Sequence, residues 1–176
     1  MLDPAIGLLL TGAFALLFAS AASHKVRDLP VFAEVFRAYR LLPERLNLAW
    51  LVPLTEAAVV VGLLVPATRM LAAGVGAALL LVYALAMGIN LARGRRELSC
   101  GCGGPSERRP IAAWMVVRNV LLAAALLLSS LPWGLRPLQA VDFLTAGAGV
   151  AVVALIYMSL DRLLGRIAPR TAQWQG

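Results

Sequence analysis

The sequence predicts an all-α integral membrane protein, and three observations carry that class. Of 176 residues, 61% are apolar and only 14% charged, and the mean hydropathy of +0.83 is too high for a soluble domain. Five windows, 4–23, 47–65, 70–92, 111–131 and 138–160, are apolar over about the 20 residues a helix needs to cross a ~30 Å hydrocarbon layer. These windows are rich in Ala and Leu and lack period-two alternation, which argues against strands. Backbone groups in lipid then find partners only along their own helix. The expectation is one membrane domain over 1–176, with a four-helix bundle and a fifth transmembrane helix.

The first window has a competing reading as a secretory signal, because Phe18-Ala19-Ser20-Ala21-Ala22 has the small residues of a cleavage region. The stretch ahead of it holds Asp3 and no Lys or Arg, whereas a signal peptide begins with positive charge, so the segment is expected to stay as the first helix. Between the first two windows a short interfacial helix is expected over about 29–42. Asp28 and Pro30 read as its start, and Val31, Phe32, Val35, Phe36, Tyr39 and Leu42 recur at helical spacing opposite Glu34, Arg37 and Arg40. Pro43 is expected to end it. Only 66–69 separates the second and third windows, which predicts an antiparallel hairpin. Gly74, Gly76, Gly147 and Gly149 are expected to let helices approach closely, and 173–176 reads as an exposed tail.

Basic residues set the expected orientation. Thirteen of the sixteen Lys and Arg fall in three stretches that an odd number of spans places on one side. These are Lys25, Arg27, Arg37, Arg40 and Arg45; Arg93, Arg95, Arg96, Arg108 and Arg109 in the loop 93–110; and Arg162, Arg166 and Arg170. Only Arg69 and Arg136 face the other way, with Arg118 inside a window. Positive charge resists translocation, which predicts a multi-pass protein of a bacterial-type cytoplasmic (inner) membrane, with the N-terminus outside and the C-terminus and loop 93–110 in the cytoplasm. The net charge of +7 is then accounted for by topology and the anionic lipid bilayer, and no nucleic-acid partner is needed. Trp50 and Trp114 on the basic side and Trp133 on the other suit interfacial belts.

Polar residues inside the spans are the first pointers to function, since charge in hydrocarbon needs a partner or a cavity. Glu56 and Arg118 lie about 10–14 Å below the basic end of their helices, on matching levels, and are expected to pair. Asn90 and Asn119 lie in the same half of the bundle, and His24 and Lys25 close the first helix there. Glu56, Asn90, Arg118 and Asn119 are therefore the candidate lining of a cofactor-binding polar pocket; a purely structural Glu–Arg pair fixing helix register is the competing reading. Asp142 and Asp161 are expected at the polar ends of the last helix.

The chain's only cysteines stand one residue apart in Ser99-Cys100-Gly101-Cys102-Gly103-Gly104. Bracketing arginines favour the thiolate, and the glycines and Pro105 and Pro110 shape the loop. Neighbours at this spacing reach a disulfide only under strain, which favours an exchanging pair over a permanent staple. Soft-metal binding, as of Cu(I), and an inert reduced pair are the alternatives; zinc would want more ligands than the chain offers nearby. No serine triad or phosphate-cradling loop is visible.

Three stretches together resemble the methylamine-utilisation MauE family, within the wider DoxX-like group of small helical membrane proteins. They are Ala19-Ser20-Ala21-Ala22-Ser23-His24-Lys25-Val26-Arg27-Asp28; Tyr39-Arg40-Leu41-Leu42-Pro43 leading to Glu56; and the run from Ile89-Asn90 through Arg93-Gly94-Arg95-Arg96 to Cys100 and Cys102, followed by Arg118-Asn119. The resemblance covers about residues 4–131. Family members often carry an aromatic residue after the second cysteine, where Gly103 stands here. The resemblance implies a redox-associated membrane protein that helps mature an exported, disulfide-containing client (the small subunit of methylamine dehydrogenase in the family) beside a thioredoxin-like partner. Cys100 and Cys102 become the catalytic candidates of a membrane thiol–disulfide oxidoreductase, with a membrane quinone as candidate electron carrier and no metal. The implied client lies outside while the charge distribution places the pair inside: either electrons cross the bundle, or the loop dips into it, or charge does not set the side. A non-catalytic scaffold for the thioredoxin-like partner and a soft-metal-handling protein are the alternative functions.

Overall fold

The computed structural model describes residues 3–41, 48–100, 110–134 and 136–167, and these form six helices and no strand. They are α1 (Pro4–Arg27), α2 (Leu29–Ala38), α3 (Leu51–Leu64), α4 (Arg69–Ala92), α5 (Ala113–Ser129) and α6 (Ala140–Ile167). α1 packs on α3, α3 on α4, α4 on α5 and α5 back on α1, so these four close a ring. α6 docks on α1 outside it. At the centre Gly76 of α4 touches Phe18 of α1, Val59 of α3 and Leu126 of α5, and a methyl there would overlap Leu126 at 2.9 Å. Around that point Phe14, Leu63, Ala73, Ala77, Leu80 and Ala123 fill the core.

All five apolar windows are helical, but they differ in length from expectation for local reasons. α1, α4 and α6 over Ala140–Leu164 are long and apolar enough to cross a membrane. α3 and α5 have 14 and 17 residues, about 21 and 26 Å at the rise of an α-helix. α3 stops because Val65 turns extended ahead of Pro66, as residues before proline do. α5 starts late because the Ile111 amide donates to the Leu98 carbonyl at 2.9 Å and Ser99 bridges Pro110. α1 runs past Ser23, continuing through Lys25 to Arg27. Its start is capped by Asp3, whose carboxylate accepts from the Ala5 amide. α6 opens with Asp142 reaching back to the Gln139 amide at 2.8 Å, one half of a capping box.

The short helix is α2, ten residues long and shorter than the expected 29–42. Asp28 stands at its N-cap but makes no side-chain cap bond. The helix ends at Ala38 rather than at Pro43, because Arg40 takes a left-handed backbone at φ 48° that cannot continue an α-helix. The α3–α4 hairpin forms as expected: Thr68 Oγ1 donates to the Gly62 carbonyl at 3.0 Å, and Gly62 lies against Ala72. Of the four glycines expected at close approaches, Gly76 and Gly149 meet neighbouring helices, whereas Gly74 and Gly147 face open space. The tail 173–176 lies outside the described residues.

Candidate functional site

The polar residues of one half of the bundle sort into three groups. Glu56 is fully buried on the inward stripe of α3, with Pro53, Val59 and Leu63. Lys25, 4% exposed, reaches it from α1 and donates from Nζ to Glu56 Oε1 at 2.6 Å. The Tyr83 hydroxyl of α4 donates to the same oxygen at 2.8 Å. The ammonium also lies 5.5 Å from the Phe32 ring of α2 and 5.4 Å from that of Tyr83, close enough for aromatic faces to share its charge. Glu56 Oε2 is buried and has no hydrogen-bond partner among the described residues. Three helices thus converge on a carboxylate with one oxygen doubly bonded and the other bare.

The expected Glu56–Arg118 pair does not form. The two residues sit at matching positions on α3 and α5, but α1 and α4 lie between those helices in the ring. Arg118 instead donates from Nη1 to Asp161 Oδ1 of α6 at 2.5 Å, beside the rings of Trp114 and Tyr157. Asp161 is therefore a partly exposed partner of Arg118, short of the end of α6 at Ile167, while Asp142 does sit at the start of α6, held by Arg136.

The second group anchors the cysteine loop. Asn90 is fully buried at the end of α4 and donates from Nδ2 to the Tyr39 carbonyl at 3.2 Å and the Ala86 carbonyl at 3.1 Å. Its Oδ1 accepts from Arg95 Nη1 at 2.9 Å, and Arg95 Nη2 donates to the Ala38 carbonyl at 2.8 Å. Tyr39, 9% exposed, donates its hydroxyl to the Ser99 carbonyl at 3.1 Å. Burial pushes that hydroxyl up to about 12, so it remains a protonated donor throughout the physiological range. Tyr39, Met87, Ile111 and Met115 form a small apolar cluster on which Leu98, Cys100 and Trp114 rest. Trp114 is thus partly buried against this cluster.

Cys100 is not a free thiol; Cys102 and the segment 101–109 lie outside the described residues. Asn119, the remaining pocket candidate, is buried and donates to the Met115 carbonyl of its own helix at 2.8 Å. Of the four candidate pocket residues, Glu56, Asn90 and Arg118 each hold different partners, and among the described residues no hydrogen bond or ion pair joins any two of the four. Residues that the sequence reading missed as contributors are Lys25, Tyr83, Tyr39 and Arg95. Lys25 was legible: Thr11, Phe14, Phe18, Ala22 and Lys25 recur at helical spacing, so the apolar stripe of α1 carries that lysine inward. Its charge therefore does not belong with the solvent-facing charges counted for orientation.

A family model described as methylamine utilisation protein MauE matches residues 3–132. The chain is 40% identical to the methylamine utilization protein MauE of Paracoccus denitrificans over 90% of this chain and 87% of that protein. It is 35% identical to that of Methylophilus methylotrophus over 93% of this chain and 88% of the relative. It is 38% identical to that of Paracoccus versutus over 99% of this chain and 96% of the relative. No solved structure matches. With the model spanning four of the five long helices and the relatives covering nearly the whole length, the chain belongs to the methylamine utilisation protein MauE family.

Proposed function

We propose that this protein is a membrane-bound thiol–disulfide exchange component for the maturation of an exported disulfide-containing protein, with Cys100 and Cys102 as the working pair. The observation that carries the reading is the seating of Cys100. It rests on a buried cluster at one end of the helix ring, with the strand-like stems at 98–99 and 110–111 pinned to each other and the Ser99 carbonyl held by Tyr39. Cys100 is presented on a fixed platform, and the same stretch of chain carries Arg93 and Arg96, both exposed; positive charge of that kind favours a reactive thiolate. The names of the relatives support methylamine utilisation as the setting.

The five long helices act as spans of a DoxX-like bundle, α3 and α5 being short enough to demand local thinning of the bilayer or extension by their flanking turns. The basic side faces the cytoplasm and the N-terminus the outside. In the exchange step one thiolate attacks a disulfide of a thioredoxin-like partner, an intermolecular S–S bond forms and the displaced partner sulfur takes a proton. The second cysteine then attacks that mixed disulfide, closing the Cys100–Cys102 bond and releasing the partner as a dithiol. Two electrons and two protons pass to the partner in all, and the reverse sequence oxidises it. Membrane quinone is the carrier we assign for electrons that must reach the opposite side.

Replacing Cys100 and Cys102 by Ser, singly and together, tests this reading. The single variant that keeps the attacking cysteine should trap a mixed disulfide with the partner, which identifies that cysteine, and each single variant should abolish maturation of the exported client. Full maturation in the double variant would overturn the exchange reading and leave a scaffold that recruits the thioredoxin-like protein.

A further inference from the structure

We infer that the crevice between α5 and α6 is the seat of a membrane quinone's head, held by the side chains of Trp114 and Arg118. The inference rests on the thiol–disulfide reading above for its purpose, since it names the residues that hold the electron carrier assigned there.

Two buried donors go unused at this place. Neither Trp114 Nε1 nor Arg118 Nε has a hydrogen-bond partner among the described residues. The two residues stand about one turn apart on α5. The Arg118 guanidinium carbon lies 5.2 Å from the Trp114 ring centre and 5.9 Å from that of Tyr157 on α6. A helix surrounded by hydrocarbon meets no water to occupy such groups, so an orphaned N–H calls for an acceptor from elsewhere. α6 packs on α1, and its backbone stays apart from that of α5. A ligand therefore reaches the two nitrogens by moving side chains, without displacing a helix. Val117 and Leu121 of α5 and Ile156 and Leu160 of α6 are exposed, so the crevice opens toward lipid.

The surroundings define the kind of acceptor. Arg118 is already charge-paired with Asp161, Nη1 donating to Oδ1 at 2.5 Å, so an anion entering here would meet that carboxylate. A neutral carbonyl oxygen meets no such repulsion. Arg118 also lies inside α5, which starts at Ala113, at a depth of about 8 Å along the helix axis. That is beneath a phosphate layer at the helix end. Two aromatic faces beside the donors suit a flat ring. A quinone head combines these traits: it is planar and uncharged, presents carbonyl acceptors, and arrives through lipid on an apolar tail. A phospholipid ester offers the carbonyl without the ring. Trp114 rests on the same apolar cluster as Cys100, so the seat adjoins the thiol platform.

The test titrates the full-length protein in detergent with a decyl-substituted benzoquinone and reads the dissociation constant by calorimetry. Wild type should show saturable binding. Arg118→Lys keeps the charge facing Asp161 and loses the Nε–H, and it should weaken binding about tenfold, as loss of a hydrogen bond from a charged group does. Trp114→Phe keeps a ring and loses the indole N–H, so it should weaken binding about fivefold. It serves if Arg118→Lys assembles poorly. Trp50→Phe, at an exposed indole, should leave the constant unchanged. Absence of saturable binding, equal binding by wild type and both variants, or an equal loss in Trp50→Phe overturns the seat. So does a short-chain phosphatidylglycerol that competes as strongly as the quinone, which would make the crevice a lipid seat. Mixed-disulfide trapping by the single-cysteine variants reads the exchange chemistry separately. Quinone binding that fails while a mixed disulfide still forms overturns the seat alone. Trapping that fails while the quinone binds overturns the exchange reading.

Discussion

At the end of the bundle that carries the N-terminus, charge stays at the rim; at the end that carries the cysteine loop, charge is drawn inside. The rim cluster joins Arg136 to Asp142 at 2.9 Å and to Asp3 at 3.2 Å, with the side chains of Arg136 and Asp3 44% and 46% exposed. Beside it the Arg69 guanidinium lies 3.7 Å from the centre of the Trp133 ring, and that indole lies against Gly7. Arg136 and Asp3 keep access to water and Arg69 an aromatic face, while the buried Asp142 is held by both terminal nitrogens of Arg136. Exposed pairs of this kind are each worth at most about 1 kcal/mol and are screened by salt. The inner centre is the reverse, with Lys25 and Glu56 almost wholly desolvated and Glu56 Oε2 unsatisfied. Burying two ions costs more than a surface pair returns, so the contrast marks the cysteine-loop end as the place where the fold accepts an energetic cost.

The sharpest way to break that comparison is to remove one ion from the inner centre. Lys25→Met leaves the Glu56 carboxylate buried without its counter-charge and should cost about 3–5 kcal/mol, the usual penalty for halving a buried pair. Adding Glu56→Gln to Lys25→Met removes the stranded charge and should restore most of the loss. The thermal midpoint of the detergent-solubilised protein reads both steps. Losses that simply add would show that the two ions do not act as a unit, and the centre would then be no different in kind from the rim.

A smaller effect is expected at the rim, where packing rather than charge is the tight element. A Cβ added at Gly7 would come within 2.3 Å of the Trp133 indole, which is also engaged by Arg69. Gly7→Ala should displace the ring and cost about 1–3 kcal/mol, as overpacking does. Gly74→Ala, on the same kind of helix but with nothing within 4 Å of the new methyl, should be neutral or stabilise by a few tenths of a kcal/mol. A Gly7→Ala protein that melts with Gly74→Ala would show that the Trp133 seat is loose.

Much of this architecture is legible in the sequence because hydropathy and helix length answer to one physical demand. All five apolar windows are helices, the hairpin at 66–69 turns where Pro66 forbids continuation, and the polar residues of the spans do gather toward the cysteine-loop end. What the sequence does not carry is which helices are neighbours. Level along the membrane normal can be counted at a fixed rise per residue, and on that count Glu56 and Arg118 match. Azimuth cannot be counted in the same way, and the ring order α1, α3, α4, α5 separates them. Lys25 was readable from the stripe that runs through Phe14, Phe18 and Ala22, provided the helix is carried past Ser23 to its real end. Tyr39 was hidden for another reason. Its periodicity fits the apolar face of a longer α2, whereas the structure breaks the helix at Ala38 and uses the residue on the loop. Nothing local to Tyr39 announces a partner sixty residues away.

The smallest expected effect separates the two ends by pH. The Ala5 amide and then Arg136 hold the Asp3 carboxylate below its ordinary value of 3.8. A depressed folded value means the contribution is present above that ordinary value and lost as pH falls through the folded one. Acid below about pH 4 should therefore loosen the first turn of α1 at the rim, seen as lower amide protection, relative to the intrinsic rate at each pH, over residues 5–8. High salt should weaken the Arg136 contact in the same place. At the cysteine-loop end the sign reverses. Tyr39 is raised from 10.0 to about 12 by burial, so its stabilising contribution is complete below pH 10 and fades as pH rises toward 12. An ultraviolet tyrosinate titration of wild type against Tyr39→Phe should show one late-ionising tyrosine missing from the variant. A Tyr39 that ionises near the ordinary value of 10.0 would mean its hydroxyl meets water, and the Ser99 carbonyl would then be held by nothing that outlasts an opening of the loop.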